Sequence, residues 1–547
     1  MKVGLLLVGL VWASMSFAVV PLTQDQKLSE LRQLTDMVKS GYGPYQLKQQ
    51  TLHLDADQLL AKYAKKAEGL SNLDFYYLLN QFVAEFQDSH FASRLNSDHI
   101  SYLGFATDRI QGKVLIDDID TTLLPPKAFP FKPGDEVVSF GGKDINGVLE
   151  DLGSYIGSGS HESLLRISAM YLTYRAASTL PPQTGDVVIR IRSQDSGKIG
   201  EPVKLTWLQQ GGPVEEAGQG WGGSPLKTDF MKLSLRDYFQ WVPKVERAYL
   251  CSPKTRINPP QGATILMGGD SDPFVAYYYP TPAGNVGYLR MPHYDWGSDA
   301  PTRLKQYEWA VYQMEQNTVG LIIDQDHNCG GDIDFLEEIV RLFAEKPFVG
   351  VQFQFLASRS DYFTFKGAAD EEAEHTLSQM DVGNILATVK TAWMHGDPMT
   401  PKISFEGNRV LQPATVHYTK PIIVLADEMS GSGGDAFPAL MQGIGRAKIL
   451  GNRTMGAGGN VVDAGTLNYS GNDIHLTKSL FYHPNGRPIE NNGVAPDYPY
   501  LPTEYDFMNG YECYEKFYTK KMLELVSAES QGTGFNGAAA NADPNCP

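Results

Sequence analysis

Lysine and arginine are few in this chain of 547 residues. They number 46 against 63 aspartates and glutamates, so the formal net charge is −17. Because such a surface repels phosphate backbones and anionic lipid, the composition excludes nucleic acid as an expected partner. Apolar residues are not lacking. At 42% of the chain they can build several packed cores, which excludes a disordered or fibrous protein.

Apolar runs long enough to cross a bilayer are absent beyond the N-terminus. The early apolar run at residues 5–12 follows Lys2. Ser16 and Ala18 then supply small residues at the two positions that signal peptidase reads. Residues 1–18 are therefore predicted to be a signal peptide. The mature chain is expected in the periplasm or outside the cell, with no integral membrane span.

Cysteine is also scarce, and the four that occur match no zinc-ligand spacing: Cys251, Cys329, Cys513 and Cys546. An even number of cysteines in an exported chain favours disulfides. Three pairings are open. The pair Cys513–Cys546 is favoured because it would tether the C-terminal end of the chain.

The first half of the chain divides into three intervals. Residues 19–100 are predicted to be a helical segment, in which Ser71 and Asp74 have the spacing of a capping box. Residues 101–212 change to short β-type runs separated by Gly, Pro and Asp turns. Residues 213–283 are rich in Gly, Pro and Ser, which is typical of a linker with accessory strands.

Strand and helix signals alternate in the second half, from residue 284 to residue 505. Buried strands are predicted at residues 286–291, 320–324 and 421–426. This alternation predicts an α/β catalytic domain whose chemistry lies at the carboxyl ends of the strands. Residues 353–419 are an insertion that the pattern does not assign. Residues 506–547 are predicted to form a C-terminal helix and a disordered tail.

A glycine-rich turn at residues 427–435 follows the last of these strands. A serine there would lie at a helix N-terminus, where unpaired N–H groups and the helix dipole favour developing negative charge. Ser430 and Ser432 both qualify as a nucleophile. From the turn alone, a plain N-cap serine is an equally good interpretation. The G-x-S-x-G motif of lipases does not occur here.

A second strand leads into the loop Asn328-Cys329-Gly330-Gly331. Paired glycines let the backbone approach a substrate closely and present an N–H group to it. The lysine of a phosphate-binding P-loop is missing. His327 and Cys329 raise a thiol nucleophile as a weaker alternative, because residues so close on a turn usually point apart.

Four segments, taken in order, resemble the C-terminal processing (tail-specific) serine peptidases: residues 284–292, 320–331, 421–451 and 486–497. Residues 131–142 resemble the turn and strand of a PDZ domain, the module that these peptidases carry, although Pro-Gly-Asp is also a common turn. The resemblance implies an α/β (α+β multidomain) fold. Its parts would be a crotonase-like β/α catalytic domain, an N-terminal helical segment and a β-rich PDZ-like domain.

The family's nucleophile aligns with Ser432 rather than with Ser430. Members with a Ser-Lys dyad carry a lysine where this chain has Ala457, and Lys448 is out of register, so that dyad is not expected. The chain instead resembles the Ser-His-Glu branch, that of the tricorn core protease and the chlamydial protease-like activity factor.

His90 and Glu490 complete the triad that this resemblance implies. His90 follows the N-terminal helices in the segment Asp88-Ser89-His90-Phe91, and Glu490 lies 58 residues beyond Ser432. A serine hydroxyl needs a neutral imidazole to take its proton, and a carboxylate must orient and stabilise the imidazolium. From the residues alone, His99 and Asp497 are rivals for these two roles.

Peptide hydrolysis through an acyl-enzyme on Ser432 is the reaction that the resemblance implies. The backbone N–H groups of Gly433 and Gly331 would form the oxyanion hole. Neither a metal nor an organic cofactor is implied. The PDZ-like domain would capture an extended polypeptide substrate by strand addition or by its C-terminus, and homo-oligomerisation stays open. The alternative is a non-catalytic, secreted peptide-binding protein that retains the fold.

Overall fold

The computed structural model describes residues 21–212, 214, 251–372, 382–404, 410–531 and 546. The predicted signal peptide, much of the 213–283 interval and nearly all of the predicted tail lie outside these residues. Within the described part of the chain, no helix combines the length and the apolar character that crossing a bilayer requires.

Four helices form the N-terminal segment. They are α1 (Gln24–Gly41), α2 (Tyr45–Leu52), α3 (Ala56–Lys66) and α4 (Asn72–Ala84). The predicted start of α4 is confirmed, because Ser71 Oγ accepts a hydrogen bond from the Asp74 N–H at 3.1 Å. Leu31 of α1 and Phe82 of α4 are fully buried in a core shared with Leu476 of a later strand. This shared core fixes the helices against the second half of the chain.

A β-rich unit with two helices comes next. Its elements are β1 (Ala92–Arg94), β2 (Ile100–Tyr102), β3 (Phe105–Ile110), β4 (Lys113–Ile119), β5 (Glu136–Phe140), β6 (Lys143–Asp144), α5 (Ile145–Gly153), α6 (His161–Met170), β7 (Tyr174–Ala176), β8 (Asp186–Arg192), β9 (Val203–Thr206) and β10 (Leu208–Gln210). One sheet has the order β3-β4-β5-β8-β9, with β6 paired to β5, and a second has the order β10-β2-β7.

The remaining elements build a larger α/β unit. They are β11 (Thr264–Met267), β12 (Ala276–Thr281), β13 (Gly284–Arg290), α7 (Ala300–Asn317), β14 (Gly320–Asp324), α8 (Ile333–Arg341), β15 (Phe348–Val349), β16 (Gln352–Phe355), α9 (Arg359–Glu372), α10 (Val382–His395), β17 (Val410–Leu411), β18 (Ile422–Ala426), α11 (Gly433–Gly443), β19 (Lys448–Gly451), β20 (Val461–Thr466), β21 (Asp473–Thr477), β22 (Ser479–Tyr482), β23 (Tyr498–Pro499), α12 (Glu504–Met508) and α13 (Glu512–Gln531).

The central sheet of this unit has the order β11-β12-β13-β14-β18-β19-β23. From β13 onward its strands are parallel. Every residue of β14 and β18 is buried, because helices cover both faces of the sheet. Phe437 of α11 lies in the core on one face, and Tyr518 of α13 lies in the core on the other. The predicted α/β multidomain fold is confirmed.

Two intervals that the sequence pattern left vague have defined structure. Strands β11 and β12 come from the predicted linker and add antiparallel to the central sheet, which therefore begins before residue 284. The described part of the 353–419 insertion supplies most of β16, the helices α9 and α10, and β17. Strand β16 pairs antiparallel with β22, which ties the insertion to the segment that precedes Glu490.

Both disulfides join distant parts of the chain. The favoured pair, Cys513–Cys546, is present, and the other disulfide joins Cys251 to Cys329. The alternative of a thiol nucleophile on Cys329 is therefore wrong, because a sulfur held in a disulfide cannot supply a thiolate.

Candidate active site

The two predicted glycine loops leave the sheet at the same edge. Strands β14 and β18 are parallel neighbours in which Asp324 pairs with Leu425, so the loops that follow them lie side by side. The carbonyl oxygen of Asn328 in the first loop accepts a hydrogen bond from the Gly431 N–H in the second at 3.0 Å. A Cβ atom at Gly330 would lie 2.7 Å from Ser432 Cβ, so this close approach requires glycine.

Ser432 occupies a special backbone conformation at the start of α11. Its φ angle is 60°, in the left-handed region that non-glycine residues rarely adopt. Strain of this kind persists only where surrounding contacts hold it. Here the Ser432 N–H donates to Asp435 Oδ2 at 3.0 Å.

Asp435 fastens the Ser432 turn to a second loop. Its buried carboxylate also accepts hydrogen bonds from the N–H groups of Gly456 and Ala457, each at 2.9 Å, and from the Thr454 hydroxyl. Burial raises the pKa of Asp435 to about 6. Sequence reasoning missed this residue, although an acidic residue three positions after a helix N-cap is itself a signal.

Replacing Asp435 by alanine is expected to destabilise the fold and to disorder the Ser432 turn. Each buried donor left without an acceptor costs about 1–3 kcal/mol, and three backbone N–H groups lose theirs, so we expect a loss of about 3 kcal/mol or more. Urea denaturation measures the stability, and labelling with a fluorophosphonate probe measures the competence of Ser432.

Asp497→Ala is the matched control for this change. Asp497 likewise accepts a backbone hydrogen bond, from the Ile449 N–H at 2.9 Å, but it does not line the site cavity. We expect Asp497→Ala to lower stability while the folded fraction still reacts with the probe. Equal labelling of folded Asp435→Ala and wild-type protein would show that Asp435 does not hold the turn.

Ser430 and Ser432 differ in what their hydroxyls contact. Ser430 is fully buried, and its hydroxyl is committed to the Gln325 carbonyl at 2.8 Å and to Asp427 Oδ1 at 3.0 Å. Ser432 lines a cavity at this edge of the sheet, whereas Ser430 does not. A structural role accounts for Ser430, which leaves Ser432 as the accessible hydroxyl of the turn.

The backbone donors predicted for the oxyanion hole lie beside Ser432. Within the described ranges, the N–H groups of Gly331 and Gly433 donate to no protein acceptor, whereas the Gly330 N–H donates to Asn328 Oδ1 at 2.8 Å. Gly433 is the first residue of α11, where the helix itself offers no acceptor. A Cβ atom at Gly331 would lie 2.2 Å from the Asp295 nitrogen, so only glycine fits there.

A cavity of about 470 Å³ opens in front of these groups. All three units of the chain contribute to its wall. Its lining includes Ser89, His90 and Phe91 from the N-terminal segment, Tyr155, Ile156, Ile167 and Tyr171 from the β-rich unit, and Trp296, Gly331, Ser432 and Met455 from the α/β unit. The wall is more apolar than polar, and its polar groups include Ser432 and the two histidines His90 and His475.

His90 lies in the turn between α4 and β1. Its backbone N–H donates to Asp88 Oδ1 at 2.8 Å, which fixes the turn. Its buried Nδ1 atom has no hydrogen-bond partner within the described residues, and burial lowers the pKa of His90. A buried imidazole of this kind is neutral at physiological pH, the state that a general base requires.

Asp88 anchors the His90 turn through hydrogen bonds to two other segments of the chain. Its fully buried carboxylate accepts hydrogen bonds from the Tyr42 hydroxyl at 2.8 Å and from the Thr477 hydroxyl at 2.7 Å. In the sequence, Asp88 is marked only by its place in the histidine segment. Its contacts with Tyr42, which follows α1, and with Thr477 of β21 could not be predicted from local pattern.

Glu490 is buried near this turn but contacts other groups. Its Oε2 atom accepts a hydrogen bond from the Gly458 N–H at 2.8 Å, and its Oε1 atom pairs with the ammonium of Lys48. Burial and the nearby charge of Asp88 raise the pKa of Glu490 to about 7. Among the described residues, neither Glu490 nor Ser432 hydrogen-bonds to His90.

The rivals named from the sequence lie elsewhere. His99 contacts the Gly212 carbonyl at 3.0 Å and Gln209 Oε1 at 2.9 Å, and it does not line the cavity. Lys448 pairs with Asp497 at 3.1 Å, which engages both residues outside the cavity. In the described stretches of the chain, no three His, Cys, Asp or Glu side chains are grouped so that they could hold a metal ion.

A buried charge cluster joins the β-rich unit to the nucleophile loop. Arg166 of α6 donates to Asp108 at 2.9 and 3.0 Å, to Asp427 at 3.0 Å and to Glu428 at 3.1 Å. Its Nη2 atom also donates to Nε2 of His327 at 2.7 Å, and burial together with Arg166 lowers the pKa of that histidine to about 3. Helix α6, a wall of the cavity, is thus tied to the end of β18.

Comparison with known proteins gives matches in sequence and in structure. A protein of Chlamydia pneumoniae is 29% identical over 279 residues, 43% of this chain and 44% of that protein. An uncharacterized protein of Chlamydia muridarum is 27% identical over 293 residues, 47% of this chain and 49% of that protein. The chain therefore spans about half the length of these curated relatives.

Among solved structures, mature CPAF complexed with lactacystin superimposes with a TM-score of 0.76. The match is 22% identical and covers 92% of this chain and 99% of that chain, which shows a shared fold. Residues 99–214 match the PDZ domain family, which confirms the predicted PDZ-like unit, and residues 285–500 match peptidase family S41. Residues 285–500 are therefore a peptidase family S41 domain, and a PDZ domain lies between this domain and the N-terminal helices.

Proposed function

We propose that this protein is an exported serine endopeptidase that hydrolyses unstructured polypeptides through an acyl-enzyme on Ser432. The observation that carries the proposal is the shared cavity. Ser432, His90 and Gly331 all line it, Gly433 directly follows the serine, and within the described residues the N–H groups of Gly331 and Gly433 donate to no protein acceptor. A nucleophile, a neutral base and two oxyanion donors are the parts that acyl transfer requires.

The reaction proceeds in two steps. His90 takes the hydroxyl proton of Ser432 as Oγ attacks the scissile carbonyl, and the N–H groups of Gly433 and Gly331 receive the oxyanion. The tetrahedral intermediate collapses to the acyl-enzyme, and the imidazolium gives its proton to the leaving amine. Water, deprotonated by His90, then attacks the ester, which releases the new carboxyl end and restores the serine.

Glu490 supplies the carboxylate of this mechanism. Its role here is electrostatic, because its oxygens bond to Lys48 and to the Gly458 N–H rather than to the imidazole. A buried negative charge near the His90 turn favours the imidazolium that forms in each transition state. This mechanism therefore requires His90 to be neutral and Glu490 to be ionised in the same enzyme molecule before the reaction begins.

Unstructured polypeptide is the substrate class that suits the cavity. Its wall joins the PDZ domain to the peptidase domain, and much of that wall is apolar, as in Ile156, Ile167 and Tyr171. Extended chain can enter such a site and be held there by the PDZ domain. For export, the support is the leader-like sequence at 1–18 together with the two disulfides.

Fluorophosphonate labelling combined with cleavage of denatured casein tests the proposal. We expect wild type and Ser430→Ala to bind the probe and to cut casein, and Ser432→Ala to do neither. Ser430→Ala is the matched control because it lies in the same turn with its hydroxyl committed to structure. Probe labelling without casein cleavage would indicate a hydrolase of small esters. A wild-type protein that neither binds the probe nor cuts casein would indicate a peptide-binding protein.

A further inference from the structure

Lys48 is a buried cation to which the sequence pattern assigned no role. It lies on α2, a helix of eight residues, and its side chain is fully buried. Its ammonium pairs with Glu490 and donates to Asn491 Oδ1 at 2.5 Å and to the Gln87 carbonyl at 3.1 Å. Lysine is almost never fully buried without such partners, so these contacts account for its position.

The contacts of Lys48 converge on the segment that carries His90. Gln87 stands three residues before His90 and adopts a left-handed φ of 48°. Asn491, beside Glu490, is also left-handed and donates to the same Gln87 carbonyl at 2.8 Å and to the Gly159 carbonyl at 3.0 Å. Lys48 and Asn491 therefore join the His90 segment to the Glu490 segment and to the PDZ domain.

The charges that face Glu490 make a nearby cation necessary. Asp88 and the Tyr42 hydroxyl face it from the N-terminal segment, on the same side as the buried His90 turn. Burial and the like charge of Asp88 both disfavour the ionised form of Glu490. Without a cation beside it, the Glu490 carboxylate would therefore take up a proton. Lys48 opposes both effects, because an ammonium in contact favours the ionised carboxylate.

We propose that Lys48 is a positioning residue of the peptidase, which keeps Glu490 ionised and holds it in register with the His90 segment. The inference rests on the proposed function, because it gives Lys48 no contact with substrate. It makes catalysis depend on the docking of α2, a helix that lies outside both the peptidase domain and the PDZ domain.

The pH dependence of kcat/KM for cleavage of an unfolded polypeptide tests this role. Lys48→Met removes the opposing charge, so ionisation of Glu490 should need a higher pH. We expect the acid limb of the profile to move upward by about one to three pH units, the usual effect of one close opposite charge. Above the shifted limb, activity should return towards the wild-type value.

Lys39→Met is the matched control. Lys39 belongs to the neighbouring helix α1 and pairs with Asp57 at 2.6 Å, but both side chains are largely exposed. Its removal should leave the acid limb in place. If folded Lys48→Met shows a lower plateau and an unmoved limb, Lys48 has only a structural role and the proposal is overturned.

A second comparison holds even if Lys48→Met does not fold, because removing both charges avoids an unpaired buried carboxylate. If Lys48 acts through Glu490, the double variant Lys48→Met/Glu490→Gln should be as active as Glu490→Gln alone. A further loss in the double variant would overturn the proposal. Wild type and Ser432→Ala, assayed alongside, report the peptidase reaction itself, so failure of the proposed function is recognised separately.

Discussion

Replacing His90 or Ser432 by alanine is expected to lower kcat for cleavage of an unfolded polypeptide by about 10⁶-fold. The two side chains line the same cavity, and in the proposed mechanism they act in one proton transfer, so removing either one should abolish the contribution of the other. The double variant should therefore be no slower than either single variant. Steady-state kinetics on one labelled polypeptide, with all three proteins at equal folded concentration, measure this non-additivity.

His99→Ala is the matched control for the histidine. Its ring bonds to Gln209 and to the Gly212 carbonyl outside the cavity, so the variant should cleave at the wild-type rate. A His90→Ala enzyme with wild-type kcat would contradict the base assignment. Losses that multiply in the double variant would show that the two residues act in separate steps.

Local pattern was enough to predict the parallel core of the fold. Strands β14 and β18 are buried on both faces and therefore appear in the sequence as unbroken apolar runs followed by glycine loops. Strands β11 and β12 lie in an interval rich in Gly and Pro, where β12 pairs with β13 and β11 pairs with β12 to form the edge of the sheet. An edge strand such as β11 carries a weaker signal, because none of its four residues is buried and it therefore lacks a distinct apolar pattern.

In the candidate site, too, features formed by neighbouring residues could be predicted from the sequence, whereas long-range contacts could not. The Ser432 turn and the glycine pair follow from residues adjacent in sequence, and the structure places them side by side. The buried pair of Lys48 and Glu490 joins residues 442 positions apart, and the contact of Asp88 with Thr477 spans 389. Neither contact has a local signature, so sequence reasoning placed Glu490 against His90 and did not anticipate the lysine.

Glu490→Gln is expected to change both the rate and the pH dependence of cleavage. Because the carboxylate makes no hydrogen bond to His90 among the described residues, we expect kcat to fall by roughly 10- to 100-fold. This is less than the roughly 10⁴-fold loss seen when the histidine-bound carboxylate of a triad is neutralised. Glu337→Gln is the matched control, since Glu337 is also buried and accepts a hydrogen bond from the Val351 N–H at 2.7 Å outside the cavity.

The sign of the pH effect follows from the two titrating groups. In the proposed mechanism, full activity needs Glu490 ionised and His90 neutral, so protonation of either group lowers the rate as the pH falls. The pKa of Glu490 is raised to about 7, whereas burial lowers that of His90 below its usual 6.5. In wild type the acid limb of kcat/KM should therefore lie near pH 7 and be set by the carboxylate. In Glu490→Gln only the histidine remains, and the limb should move below pH 6.5. An acid limb that stays near pH 7 in this variant would mean that a group other than Glu490 controls the reaction. Asp435, whose pKa is raised to about 6, would then be the first group to test.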